Sequence, residues 1–243
     1  MTGVWDSGVS QHLPAAARDL ALRLGASAER VGLDVRLTQS GLMKRTLGVD
    51  AWSPFTASQT IATNCCRFDW RARFGPLGAI SVRDALEDGE GRLTVNALGI
   101  IPLGRTKPTA ALTKGELMRY LAELPWAPDA ILHNPELRWR AIGPDTIVVS
   151  AGVGDTSVEV SLGLNTQGQV ATVLAKNRPR SPTPPLLPMR WVGGFSDYRL
   201  HDGRWLPFAG EVAWEIDGHN EVYWICRVEA WCSSDGQSTA ESP

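Results

Sequence analysis

The sequence predicts a mainly β protein of the α+β class, in which one curved antiparallel sheet forms an open or half barrel. Segments of alternating apolar and polar residues recur along most of the 243-residue chain. Asp-Gly pairs separate several of these segments, as in β-hairpins. Strands do not alternate regularly with helices, and no G-x-G-x-x-G sequence is present, which argues against a doubly wound fold. Long strands in consecutive hairpins curl readily into barrels or half barrels.

Composition excludes several classes of protein. The formal net charge of −2 argues against a nucleic-acid partner, which would require a concentrated positive field. No segment approaches about 18 consecutive apolar residues, so we expect no membrane span. The N-terminal residues lack the basic start and apolar run of a signal peptide. The 4 cysteines form no C-x-x-C pair. These features predict a soluble cytoplasmic protein.

The first half of the chain predicts one helix followed by strands. Residues 1–13 are expected to form a flexible tail and residues 14–232 a single β-rich domain. A helix is predicted over 14–24, with Pro14 at its start and Gly25 beyond its end. The predicted strands are 31–43, 65–74, 80–86 and 92–101, whereas 50–60, which contains Pro54, predicts an irregular loop or short helix.

A helical segment interrupts the strands and is expected to act as a lid over about residues 113–132. Thr113 and Glu116 fit a capping box as the N-cap and N3 residues. The helix predicted over 116–124 places Leu117 and Tyr120 on one apolar stripe.

After this segment the strand pattern returns. Predicted strands cover 137–142, 146–153, 156–165, 170–176, 189–201, 205–217 and 221–232. The residues between the fourth and fifth of these, 177–188, hold five prolines and predict a surface loop. Residues 233–243 predict a disordered tail.

The order of short motifs resembles an uncharacterised bacterial family, a domain of unknown function. The matching motifs are Leu37–Met43, Trp52–Gln59, Phe68–Arg73, Arg119–Glu123 with Trp126 and Pro128, Leu137–Trp139, Asp197–Arg199, Asp202-Gly203, Pro207, Glu211–Trp214 and Tyr223-Trp224. They span about residues 31–232. The resemblance implies a fold similar to the open β-barrels of bacterial lipoprotein carriers, which hold acyl chains under a helical lid.

Four residues are candidate catalytic groups: Glu123, Tyr120, Glu211 and Asp197. Glu123 could transfer a proton if burial raised its pKa, and Tyr120 could donate a hydrogen bond to a substrate. The competing interpretation is an ordinary surface pair between Arg119 and Glu123. Glu211 and Asp197 could point into a barrel lumen, or could form cross-strand ion pairs on a wet face.

Eight residues are candidate ligand contacts. They are Arg119, Trp126, His133, Trp139, Arg190, Tyr198, Trp214 and Trp224. The 10 tryptophans exceed what one core needs, so two or three are expected to line a cavity. Arg190 or Arg71 would supply a counter-charge in the lumen. We expect no metal site, because no ligand spacing typical of zinc occurs, and no cofactor.

The sequence leaves three functions open. The first is binding of a small apolar or aromatic ligand in a half-barrel pocket. The second is a cofactor-free isomerase, lyase or cyclase that uses carboxylate, tyrosine and arginine side chains in the same pocket. The third is a scaffold that binds a partner through residues 177–188.

Overall fold

The computed structural model describes residues 13–98, 101–181 and 187–235. These contain three α-helices and thirteen strands. In chain order they are α1 (Ala15–Arg23), β1 (Leu33–Lys44), β2 (Trp52–Ile61), β3 (Phe68–Phe74), β4 (Ile80–Glu87), β5 (Glu90–Ala97), β6 (Ile101–Thr106), α2 (Ala110–Ala122), α3 (Asp129–His133), β7 (Arg138–Ala141), β8 (Thr146–Ala151), β9 (Val158–Leu164), β10 (Val170–Pro179), β11 (Pro188–His201), β12 (Arg204–Ile216) and β13 (His219–Asp235).

All thirteen strands form one antiparallel sheet. Its order is β6-β5-β4-β3-β2-β1-β13-β12-β11-β10-β9-β8-β7. Strands β1 to β6 form one meander and β7 to β13 a second, and the pairing of β1 with β13 joins them. The sheet is therefore open, with β6 and β7 at its two edges, and the predicted fold class is confirmed.

Helix α2 lies in the concave side of the sheet. It contacts β4 and β5 in one meander and β8, β9 and β10 in the other. Because strands so far apart in the sheet touch the same helix, the sheet must wrap around it. Most residues of α2 are buried, including Leu117, Tyr120 and Leu121. The predicted lid is thus an internal helix with sheet on both sides.

The start of α2 differs from the predicted capping box. Thr109 is the N-cap, and its hydroxyl accepts a hydrogen bond from the Leu112 N–H at 3.1 Å. Thr113 lies inside the helix, where its hydroxyl accepts from the Gly91 N–H at 3.0 Å. A Cβ at Gly91 would lie 2.8 Å from the Leu112 carbonyl carbon, so glycine permits this close approach of helix and strand.

Several predicted boundaries are wrong. Residues 50–60 were expected to be irregular, but most of them form β2. The pairing of β2 with β3 begins at Phe55, so Pro54 lies just outside it. Proline, which has no backbone N–H, is tolerated at such a position. Strand β6 was not predicted beyond residue 101, and residues 233–235, predicted as tail, belong to β13.

Some predictions concern residues outside the described ranges. These are the tails at 1–12 and 236–243 and the centre of the proline-rich loop, 182–186. The flanks of that loop continue β10 as far as Pro179 and begin β11 at Pro188. Within the described residues, no helix is long and apolar enough to cross a membrane.

A buried ion pair fastens the short helices to the sheet. Arg204 donates from Nη2 to Asp129 Oδ2 at 2.6 Å, and both side chains are almost inaccessible, at 2% and 1% exposure. The other oxygen of Asp129 accepts from the Ser27 backbone N–H at 2.8 Å. One carboxylate therefore joins α3, the segment after α1 and the start of β12.

Removing one partner of this pair should destabilise the fold, because the charge of the other partner would stay buried without an opposite charge beside it. We expect Asp129→Ala to lower the free energy of unfolding by about 3–5 kcal/mol. Arg140→Ala is the control, since Arg140 pairs with Glu159 on the surface, and it should cost no more than about 1 kcal/mol. Urea denaturation measures both. Equal effects of the two substitutions would contradict the proposed importance of the buried pair.

Candidate functional site

A cavity of about 350 Å³ lies between α2 and the concave face of the sheet. Both meanders and α2 contribute to it. Its lining includes Met43, Trp70, Phe74, Val82, Asp84, Leu93, Ala111, Leu112, Gly115, Glu116, Arg119, Ala122, Glu123, Trp126, Val173, Arg178, Pro179, Arg180, Trp191, Gly193, Phe195, Gly210, Glu211, Val212, Trp214, Tyr223 and Trp224. Its volume is within the range of small-molecule sites.

Aromatic rings form a large part of the apolar wall. Trp126 meets Phe195 edge to face, with ring centroids 5.1 Å apart. Trp214 stacks on Tyr223 at 6.2 Å, and Trp224 stacks on Phe55 at 5.8 Å. Such a wall favours apolar or aromatic ligands.

One part of the cavity is charged. Arg119 donates from Nη1 to Asp84 Oδ2 at 2.6 Å and from Nε to Glu123 Oε1 at 2.8 Å. Glu123 also accepts a hydrogen bond from the Gln59 amide. The guanidinium carbon of Arg119 lies 5.0 Å from the centroid of the Trp70 ring. The two carboxylates raise the pKa of Arg119 despite burial, so this side chain stays cationic.

Glu116 is the most perturbed carboxyl group of the cavity. It lies one turn before Arg119 on α2 and is only 5% exposed. Burial raises the pKa of Glu116 well above its usual value, and the negative charge of Asp84 raises it further. Glu116 Oε2 and Asp84 Oδ1 are both buried and have no hydrogen-bond partner among the described residues. The raised pKa favours the protonated form of Glu116.

A second arginine, Arg178 on β10, also borders the cavity. Its guanidinium carbon lies 4.4 Å from the centroid of the Trp191 ring and 5.8 Å from that of Trp214. Its Nε atom is buried and has no hydrogen-bond acceptor.

The four predicted catalytic residues do not converge. Tyr120 is fully buried away from the cavity, where its hydroxyl donates to the Ala62 carbonyl at 2.9 Å, and burial raises its pKa. Asp197 is exposed and pairs with Arg199 at 2.6 Å, which lowers the Asp197 pKa. Glu211 is exposed and alternates with the inward-facing Gly210, so it touches the cavity only from the outer side of β12. Only Glu123 points into the cavity, as part of a buried pair and not a surface one.

The predicted ligand contacts divide into two groups. Arg119, Trp126, Trp214 and Trp224 line the cavity.

The other four lie outside it. His133 bonds through Nε2 to the Ser27 carbonyl oxygen at 2.7 Å. Trp139 lies on the edge strand β7. Arg190 pairs with Glu215 at 2.9 Å on the surface, and Arg71 pairs with Asp69. Tyr198 donates to the Val170 carbonyl at 2.7 Å, and burial raises its pKa.

Sequence reasoning missed Asp84, Glu116 and Arg178. A signal for Asp84 was present, because it interrupts the apolar face formed by Val82 and Leu86 in a strand. Glu116 is three residues before Arg119 and seven before Glu123, a spacing that places all three on one face of a helix. Within the described ranges, no group of three or more His, Cys, Asp or Glu side chains has the arrangement of a metal site.

Comparison with known proteins identifies the family. The model of DUF6544, described as a family of unknown function, matches residues 4–226. The chain belongs to DUF6544. No curated protein matches this DUF6544 chain.

Solved structures resemble the DUF6544 chain over most of its length. A LolA superfamily protein from Nitrosomonas europaea has 10% identity and a TM-score of 0.46, with 90% of this chain and 93% of that one covered. A DUF1329 family protein from Desulfovibrio piger has 12% identity and a TM-score of 0.43, with 92% and 94% covered. At such low scores, any function proposed for this DUF6544 protein has to rest on its own residues.

The protonated state of Glu116 makes a prediction about pH. A carboxyl group whose pKa is raised by folding contributes full stability below its unfolded pKa of about 4.3 and loses it as the pH rises through the folded pKa. Glu116→Gln mimics the protonated form. Its free energy of unfolding should therefore fall less than that of the wild type as the pH rises from about 4.3. Urea denaturation at a series of pH values measures this difference.

The control is Glu159→Gln, because Glu159 is exposed on β9. Its stability should follow the wild-type pH dependence. Parallel wild-type and Glu116→Gln curves would show that Glu116 ionises normally.

Proposed function

We propose that this protein binds a small apolar or aromatic molecule in the cavity between α2 and the sheet. The observation that carries the proposal is the aromatic cavity itself, with tryptophans from both meanders in one wall. An apolar cavity of this size loses packing contacts as long as it stays empty. A ligand that fills it would recover those contacts and release its own apolar surface from water.

The charged part of the cavity supports an oriented ligand. Polar groups buried in an apolar environment are costly unless they are hydrogen-bonded. Asp84, Glu116, Arg119 and Glu123 place charged and polar groups at one side of an otherwise apolar lining. A few placed polar groups in an apolar pocket are typical of specific small-molecule sites. A cytoplasmic location is part of the same proposal.

A second candidate function is acid–base catalysis in the same cavity. The observation that favours it is the Asp84–Glu116 pair, because a carboxyl group with a raised pKa, here Glu116, can act as an acid beside a carboxylate that acts as a base. In this arrangement Asp84 would accept a proton and Glu116 would donate one. Isomerisation, elimination or cyclisation of a small apolar substrate would suit such a pair, without a cofactor.

Binding can be tested by filling the cavity from α2. Gly115 lines the cavity, and a Cβ there would meet only Arg178 Nε, at 3.8 Å. We expect Gly115→Leu to weaken binding of the neutral fluorescent probe N-phenyl-1-naphthylamine by about tenfold or more, equivalent to ~1.4 kcal/mol. Fluorescence titration measures the dissociation constant.

Two variants serve as controls for this titration. Gly115→Ala adds little volume, so it should bind the probe nearly as the wild type does. Gly104→Leu places the same side chain in open space on β6 and should leave binding unchanged. If the wild type does not bind the probe, or if Gly104→Leu impairs binding as much as Gly115→Leu, the proposed ligand site is wrong.

Catalysis can be tested through proton exchange at carbon. We expect the wild type to accelerate deuterium incorporation next to the carbonyl of small cyclic ketones in D2O, and Glu116→Gln and Asp84→Asn to abolish the acceleration. Asp197→Asn, which changes an exposed carboxylate, should retain it. Mass spectrometry measures incorporation. Equal rates with the wild type and Glu116→Gln would exclude a role for this pair.

A further inference from the structure

An irregularity in β10 turns Arg178 toward the cavity. Ala175 pairs with Trp191 and Arg178 pairs with Met189, so three steps along β10 match two along β11. The extra residue is a β-bulge, which changes the side of the sheet to which the following side chains point. With regular alternation Asn177 would share the inward face of Ala175. Instead Asn177 is exposed and Arg178 lines the cavity.

The guanidinium of Arg178 has aromatic neighbours, and its positive charge acts on the buried carboxyl group of Glu116, whose pKa it lowers against the larger effect of burial. Within the described residues it forms no ion pair and no hydrogen bond. The two most buried ion-paired arginines, Arg119 and Arg204, each bind carboxylates directly. The Trp191 ring, 4.4 Å from the guanidinium carbon of Arg178, holds this cation at the cavity wall. An arginine held in this way is suited to a carboxylate, which it can bind through two parallel N–H donors.

We propose that the ligand of this cavity is an apolar or aromatic molecule that carries one anionic group, a carboxylate, bound by Arg178. This inference rests on the proposed ligand-binding function and specifies the ligand class. The apolar body lies along the tryptophan wall, and the carboxylate lies beside Trp191, next to Gly115 on α2.

The test compares three molecules that share one aromatic body. These are 2-naphthoate, 2-naphthalenemethanol and 2-naphthylmethylammonium, which are anionic, neutral and cationic at neutral pH. Equilibrium dialysis against the full chain gives the dissociation constants. We expect the wild type to bind the naphthoate about tenfold or more tightly than the alcohol, and the ammonium most weakly.

Variants at two arginines locate the effect. Arg178→Gln should reduce naphthoate affinity to that of the alcohol measured with the same variant, and a far-UV circular dichroism spectrum like that of the wild type shows that the variant is folded. Arg178→Lys should restore part of the preference, because it keeps the charge but not the paired donors. Arg190→Gln removes a surface arginine that pairs with Glu215 on β12 and should change neither constant.

The outcomes separate this inference from the proposed function. Equal binding of naphthoate and alcohol, or tighter binding of the ammonium, would overturn the anionic ligand and keep the ligand site. A naphthoate preference that survives Arg178→Gln would overturn the role of Arg178. Failure of all three molecules to bind would overturn the proposed function and this inference with it.

Discussion

The pairing of β1 with β13 is the contact on which the rest of the structure depends. Within each meander, strands that follow one another in the chain are neighbours in the sheet, so hairpins alone would make two separate sheets. The β1–β13 ladder joins them and places β6 and β7 at opposite edges. Because the chain has to pass from one edge to the other between these strands, it crosses the concave face. The helix α2 is therefore internal, and its side chains form one wall of the cavity.

This topology explains why charged residues are buried at the centre of the molecule. A helix enclosed by sheet on both sides cannot direct all its polar residues to water, so Glu116, Arg119 and Glu123 need partners inside. Asp84 and Gln59 provide them from β4 and β2. A buried ion pair is seldom a large net source of stability, because desolvation offsets the attraction. Under the proposed function, this charged group would orient a ligand in the adjoining cavity.

The same topology marks the limit of prediction from the sequence. Hairpins depend on local turn signals and alternation, and these correctly indicated most strands and the open antiparallel sheet. The β1–β13 ladder joins residues as far as 202 positions apart, such as Leu33 and Asp235, and no local pattern specifies it. Without that pairing, α2 was interpreted as a lid over the sheet. Glu116 was then assigned to a capping box, and Tyr120 to the site rather than to the packing behind it.

The tryptophans explain how the cavity can stay open. Apolar side chains that can change rotamer would move into an empty space and fill it. Several indoles of this cavity cannot do so, because their N–H groups are hydrogen-bonded. Trp126 donates to the Pro207 carbonyl at 2.8 Å, Trp70 donates to Gln39 Oε1 at 3.0 Å, and Trp191 donates to the Tyr223 hydroxyl at 3.0 Å. Gly115 lines the cavity from α2 and supplies no side chain to fill the gap. Each of these indoles lines the cavity and is also held in place by its N–H hydrogen bond. A tryptophan excess in a β-rich sequence can therefore indicate a preformed cavity as well as a large core.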